Sequence, residues 1–182
     1  ETDLLKQWDE LHAADLAPTP EGDVLAAWLL FHNGYFEAAS NAALELGADG
    51  VPVLIRSAVA YTDYICDDED YCVELLEQAY LLAEKQCHES TNNKITTALA
   101  MGRYSQSISI TKALAKGLGG KVKTLLTEVL EAEPDHAEAH LAMAMYHAEI
   151  IDKVGATLGG LTYGAKAKTA HKHINQSLEL VP

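Results

Sequence analysis

Three histidines, His136, His140 and His147, fall at i, i+4 and i+11 of one stretch. On a helix turning 100° per residue they lie within about 40° of a common line. Two imidazoles one turn apart, as in His136 and His140, have the spacing with which helices chelate transition metals. The structural reading outweighs that one: His136 belongs to a first helical turn behind an Asp135 cap, and no metal or other cofactor is assigned. His171 and His173 are two residues apart, face different sides of a helix and add no chelating pair. Ser109 and Lys112 spell SxxK, the spacing with which a lysine activates a serine nucleophile, but the companion SDN and KTG elements are absent from the sequence. So are GxSxG, HExxH and GxGxxG, and no catalytic residue is assigned.

A cationic stripe is the next candidate. Ser105, Ser109, Lys112 and Lys116 recur at i, i+4, i+7 and i+11 and lead into Gly117-Leu118-Gly119-Gly120-Lys121-Val122-Lys123. Glycines that free backbone amides at a helix start, with lysines beside them, can hold a phosphate or carboxylate. A solvated turn is the plainer reading. The acidic run in CDDEDYC (66–72) lacks the glycine and distal glutamate of a calcium loop and suits a helix start instead, where carboxylates meet the positive end of the dipole.

The elements that must position these groups are helices. Leu4, Leu5, Trp8 and Leu11 have helical spacing, and APTPEGD closes that segment. Paired helices are expected over 23–33 and 36–46, turning at Asn33-Gly34, then over 52–65 and 71–86, with Pro52 in a first turn where no amide is lost. From Asn93 to Lys116 the only breaker is Gly102, so one helix of about 24 residues is expected, followed by a partner from Lys121 to Ala132. LAMGRYSQSI (99–108) reappears with substitutions as LAMAMYHAEI (141–150). Each copy runs through Leu-Gly-Gly (118–120, 158–160) to a proline, Pro134 or Pro182. An internal repeat of apolar-periodic segments implies stacked helix pairs, an architecture that binds more often than it catalyses. If adjacent repeats close up, Arg103, Tyr104, Tyr146, His147 and Tyr163 gather near their inner faces, and such side chains are the usual anchors of a peptide interface.

These residues carry a resemblance. HNGYFEAA (32–39) is similar to the inter-helix turn of tetratricopeptide repeats (TPRs). Gly102 and Ala144 stand where the first helix of that repeat is small because a neighbour crosses, His140, Met143 and His147 match its packing positions, and Ala170, Ile174, Ser177 and Pro182 match its second helix. The likeness is good over 93–182 and looser over 23–88, with 48 residues from Pro134 to Pro182 against the usual 34. Overlong first helices and Gly-rich turns also resemble bacterial TPR proteins associated with periplasmic solute transporters and, more distantly, regulators of microtubule dynamics. The resemblance implies an all-α, right-handed TPR-like superhelix of antiparallel helix pairs, about nine helices in one domain over 1–182. Its parts are an N-terminal helix and linker (1–22) and pairs at 23–50, 51–90, 91–134 and 135–182. It implies a non-enzymatic scaffold binding a protein segment or peptide on its concave face. The alternative is a small anionic ligand held by Lys112, Lys116, Lys121 and the glycine-rich turn.

Composition narrows the partner. The 182 residues carry a net charge of −14, split unevenly: 3 Lys/Arg against 19 Asp/Glu in 1–91, and 10 against 8 in 92–182. So acidic a protein repels nucleic acid and anionic membranes, and no apolar run is long enough for membrane insertion. A homo-oligomer stays open. The chain starts at Glu1, so export to the periplasm after signal removal is slightly favoured over the cytoplasm. Cys66, Cys72 and Cys87 are expected to be reduced and structural, with a Cys66–Cys72 bridge as the alternative.

Overall fold

The computed structural model describes residues 2–181. The described residues form eleven α-helices and no strand: α1 (Thr2–Leu11), α2 (Gly22–His32), α3 (Phe36–Leu44), α4 (Val51–Tyr64, preceded by a 3₁₀ turn at Gly47–Gly50), α5 (Glu69–Glu84), α6 (Thr91–Ser107), α7 (Ile110–Ala115), α8 (Leu118–Ala132), α9 (Ala137–Val154), α10 (Ala156–Tyr163) and α11 (Ala167–Leu180). The all-α expectation holds; the count of nine does not. Two breaks account for the excess. Ile108 is fully extended (φ −120°, ψ 168°) and Ser109 restarts the chain as an N-cap, its hydroxyl accepting from the Lys112 amide at 3.2 Å, so the helix expected over 93–116 is two. In the second copy Gly155 (φ +83°) separates α9 from α10. The Leu-Gly-Gly segments are therefore not turns: 118–120 opens α8 and 158–160 lies inside α10.

Local chemistry explains most of the other boundaries. Pro52 sits in the first turn of α4. Asp68 caps α5 by accepting from the Tyr71 amide, so the acidic run begins a helix. Ser90 caps α6 through the Asn93 amide at 3.0 Å. At α9 the expected cap is wrong by one residue: His136, not Asp135, accepts from the Ala139 amide, through Nδ1 at 3.2 Å. Cys66 and Cys72, with Cα atoms 6.5 Å apart across the start of α5, form a disulfide rather than remaining reduced; Cys87 is free and buried.

Four pairs organise the molecule: α2 with α3, α4 with α5, α6 with α8, and α9 with α11. The second helix of each of the first three also packs on the first helix of the next pair. Lys94 at the start of α6 reaches Glu128 near the end of α8 (2.8 Å), and along α11 Lys166 meets His147 of α9 while the later His173 meets the earlier His140, so these partners run antiparallel. One core cluster gathers Ile55, Leu76, Tyr80, Ile95, Met101, Tyr104, Leu126 and Met143. A second, around Trp8, Trp28, Ala39 and Val53, seats the N-terminal helix, and the Trp8 indole donates to the Ala17 carbonyl at 2.8 Å. From there the chain reaches across to α9. Arg56 of α4 pairs with Asp15 (2.8 Å) and bidentately with Glu138 (3.2 and 2.7 Å), and the Glu138 amide donates to the Ala14 carbonyl.

Candidate functional site

Between α6 and α9, which meet only sparsely, lies a cleft of about 260 Å³. Its floor is Ile95 and Ala98 of α6 and Leu126 of α8, all buried. Its lips are Ile110 and Leu114 of α7 and Leu141 and Met145 of α9, between 42% and 48% exposed. Each pair is spaced i, i+4, so each helix turns two aliphatic side chains toward one opening. Apolar side chains exposed singly on a surface are ordinary; four around one concavity are not. The break at Ile108 makes this possible, because it lets α7 leave the line of α6 and form a wall.

A polar chain crosses the α6–α9 side. Arg103 pairs with Asp63 of α4 and donates through Nη1 to Gln106 (3.0 Å). Gln106 donates to Glu149 (3.2 Å), and Lys153 lies 3.7 Å from Glu149 and 3.4 Å from the Ser105 carbonyl. The Arg103 Nε is buried without a hydrogen-bond partner.

Of the residues singled out in the sequence, Arg103, Tyr146 and Tyr163 line this cleft. The Tyr146 hydroxyl, pushed up to about 12 by burial and the neighbouring Tyr163, reaches the Tyr163 carbonyl at 3.5 Å. Tyr104 and His147 do not line it. Tyr104 is fully buried and stacks on Tyr80 with ring centroids 5.0 Å apart; His147 is buried, lowered below the usual histidine range by burial, and accepts from the Lys166 amide.

The lysines face elsewhere. Lys116 binds Glu77 (2.8 Å), which holds it above the ordinary lysine range, and Lys121 binds Glu84 (2.5 Å), both carboxylates from α5. Lys112 hangs over the Tyr104 ring at 5.7 Å. Lys123 donates to the Tyr163 carbonyl (2.7 Å) at the end of α10. The anion site expected over 112–123 thus has two of its three cations already matched with carboxylates, because α5 brings its acidic face against this turn. Its serine stripe is broken at Ile108 as well.

On α9, His136 uses its Nδ1 to cap the helix. The His140 Nε2–H donates to the Pro134 carbonyl (2.8 Å), leaving Nδ1 to accept from His173 Nδ1–H at 2.8 Å, so His173, set aside in the sequence, has a partner. Among the described residues no group of three or more His, Cys, Asp or Glu is placed to close around a metal ion, and no helix is long and apolar enough to cross a membrane.

Sequence reasoning missed the lips. Leu141 and Met145 belong to a helix with apolar residues on more than one face, Leu141, Met143 and Met145, and this excess was the available signal. Gly102 was read as a crossing point. A Cβ built there meets no atom within 4 Å, and the residue lines the cleft. Comparison with family models, with curated proteins and with solved structures finds no match to this chain.

Proposed function

We propose that this protein is a non-enzymatic, TPR-like binding scaffold that seats a segment of a partner protein across the α6–α9 cleft, apolar side chains pointing inward. The single observation that carries this reading is the concavity of about 260 Å³ with four exposed aliphatic side chains at its mouth and a buried apolar floor. Isolated pockets for small ligands are usually larger, about 300–1,000 Å³, whereas anchor side chains of a peptide need only local depth. The packing order supports the TPR-like part, since a second helix touching the first of the next pair is how such repeats stack. The anionic-ligand alternative loses support from the Glu77 and Glu84 pairings.

Leu141→Asp with Met145→Asp places two charges on the lip without disturbing the floor. Affinity capture from native extract is expected to lose its partner with this double variant while the far-UV circular dichroism stays unchanged, and to retain it with Lys112→Ala plus Lys116→Ala. Capture unaffected by the lip substitutions removes the reading.

A further inference from the structure

We propose that His12 and His32 form a site for one divalent transition-metal ion, Cu²⁺ or Zn²⁺, with two imidazole ligands and the remaining coordination completed by solvent. The site lies outside the α6–α9 cleft and shares none of its lining residues.

Spacing sets the first condition. The Nε2 atoms of His12, just past α1, and His32, the last residue of α2, lie 3.3 Å apart. Hydrogen bonds from a nitrogen donor span about 2.7–3.2 Å. The second histidine pair of the molecule, His140 with His173, closes to 2.8 Å, inside that range. Two imidazoles sharing a tetrahedral ion, each about 2.0–2.1 Å from it, hold their nitrogens about 3.3–3.4 Å apart. His12 and His32 therefore stand at the separation of co-ligands, whereas His140 and His173 stand at that of donor and acceptor.

The surroundings of His12 set the second. Its Nδ1 faces both oxygens of Asp15, at 3.1 and 3.0 Å, and Asp15 is itself held by Arg56 at 2.8 Å and by the Ala17 amide at 3.2 Å. An ionised carboxylate only accepts, so the neutral imidazole keeps its proton on Nδ1 and presents the Nε2 lone pair. A carboxylate in this position behind a ligating histidine fixes the tautomer and raises the basicity of the ligating nitrogen. Trp8 stacks on the same ring with centroids 3.9 Å apart, and Trp28 meets it edge-on at 5.0 Å. Packing thus orients the ring before an ion arrives.

Access comes from the other ligand. His12 is 6% exposed, while His32 is exposed at the surface. When the ion binds, the His32 proton moves from Nε2 to Nδ1, so both rings stay neutral. Two imidazole nitrogens favour copper and zinc, with copper the tighter; magnesium and calcium require oxygen ligands.

The chain's two tryptophans, Trp8 and Trp28, both pack on this pair, so their emission reports an ion bound there. The test titrates the full chain with Cu²⁺ alone while following tryptophan fluorescence, and with Zn²⁺ alone while following the histidine ring nitrogens by nuclear magnetic resonance. One equivalent of Cu²⁺ is expected to quench the parent, and equally a His173→Gln variant. His32→Gln, which removes an exposed ligand, is expected to weaken the response by at least about tenfold, the loss that removal of an outer-shell partner alone produces. In the unsubstituted chain Zn²⁺ is expected to shift the Nε2 resonances of His12 and His32, and Mg²⁺ at the same concentration to shift neither. Quenching of His32→Gln at the same Cu²⁺ concentration as the parent overturns the site. So do Nε2 resonances that Zn²⁺ leaves in place, or that Mg²⁺ moves as far.

Discussion

Gly102 and His173 show how one residue's role depends on what faces it. A glycine inside a helix costs about 0.8–1.0 kcal/mol relative to alanine, and the usual compensation, close approach of a second backbone, is missing at Gly102. Gly102→Ala is therefore expected to raise the unfolding free energy by about 1 kcal/mol in urea titration; a loss of similar size means that something crosses there after all. His173 is held down to about 4, by burial first and then by His140 and His147. Its folded pKa lies below the unfolded value, so it contributes stability present above pH 6.5 and lost as pH falls toward 4, where the unfolded chain takes up the proton first. His136 and His147, also lowered mainly by burial, act in the same direction. We expect the urea midpoint to fall over this window, with a His173→Gln variant losing about 1–2 kcal/mol less than the parent between pH 7 and 4.

At the scale of the element, α7 decides whether the cleft exists. It is six residues long, buries none of them and begins at a serine cap. So short a helix has little stability of its own, and the Ser109 hydroxyl accounts for much of its definition. Ser109→Ala is expected to cost about 1 kcal/mol or less globally while accelerating amide exchange across 110–115 well beyond that of α6. Equal exchange in the variant and the parent shows that packing of Ile110 and Leu114, not the cap, holds α7 in place. The disulfide acts on a smaller stretch. By closing the loop before α5 it restrains the acidic segment that caps the helix carrying Glu77 and Glu84.

Over the whole molecule, the Arg56 network ties the N-terminal arm, α4 and α9 into one unit. Its side chain is 17% exposed and those of Asp15 and Glu138 are 8% and 21% exposed, so neither carboxylate is well hydrated. Burial pushes the Asp15 carboxyl up, but its His12 hydrogen bond and the Arg56 charge outweigh this and hold it below its ordinary value. Arg56→Met strands the Glu138 carboxylate and leaves Asp15 to His12 and the Ala17 amide, and is expected to cost about 3 kcal/mol, read as a lower urea midpoint. A change within about 0.5 kcal/mol refutes the stranding argument. Because Glu138 also lines the cleft, the network fixes this corner of the opening to α4 and the N-terminal arm.

Helical class, the repeat of α6 in α9, the turn at Asn33-Gly34 and the start of α4 were legible in the sequence because each depends on neighbours within a turn or two: apolar periodicity, a glycine, a proline. The break at Ile108-Ser109 was not, because Ser105–Lys116 is compatible with continuous helix and equally with a serine cap, and the residues alone do not choose between them. The candidate site was half visible. Arg103, Tyr146 and Tyr163 could be named from their types, but whether a tyrosine is core or wall depends on which helix faces it, as Tyr104 against Tyr80 shows. The same holds for charge: nothing local to Lys116 and Lys121 reveals that α5 presents Glu77 and Glu84 to them from 39 and 37 residues away. Local backbone preference is written along the chain, whereas the pairing of surfaces arises only when distant helices compete for the same neighbours.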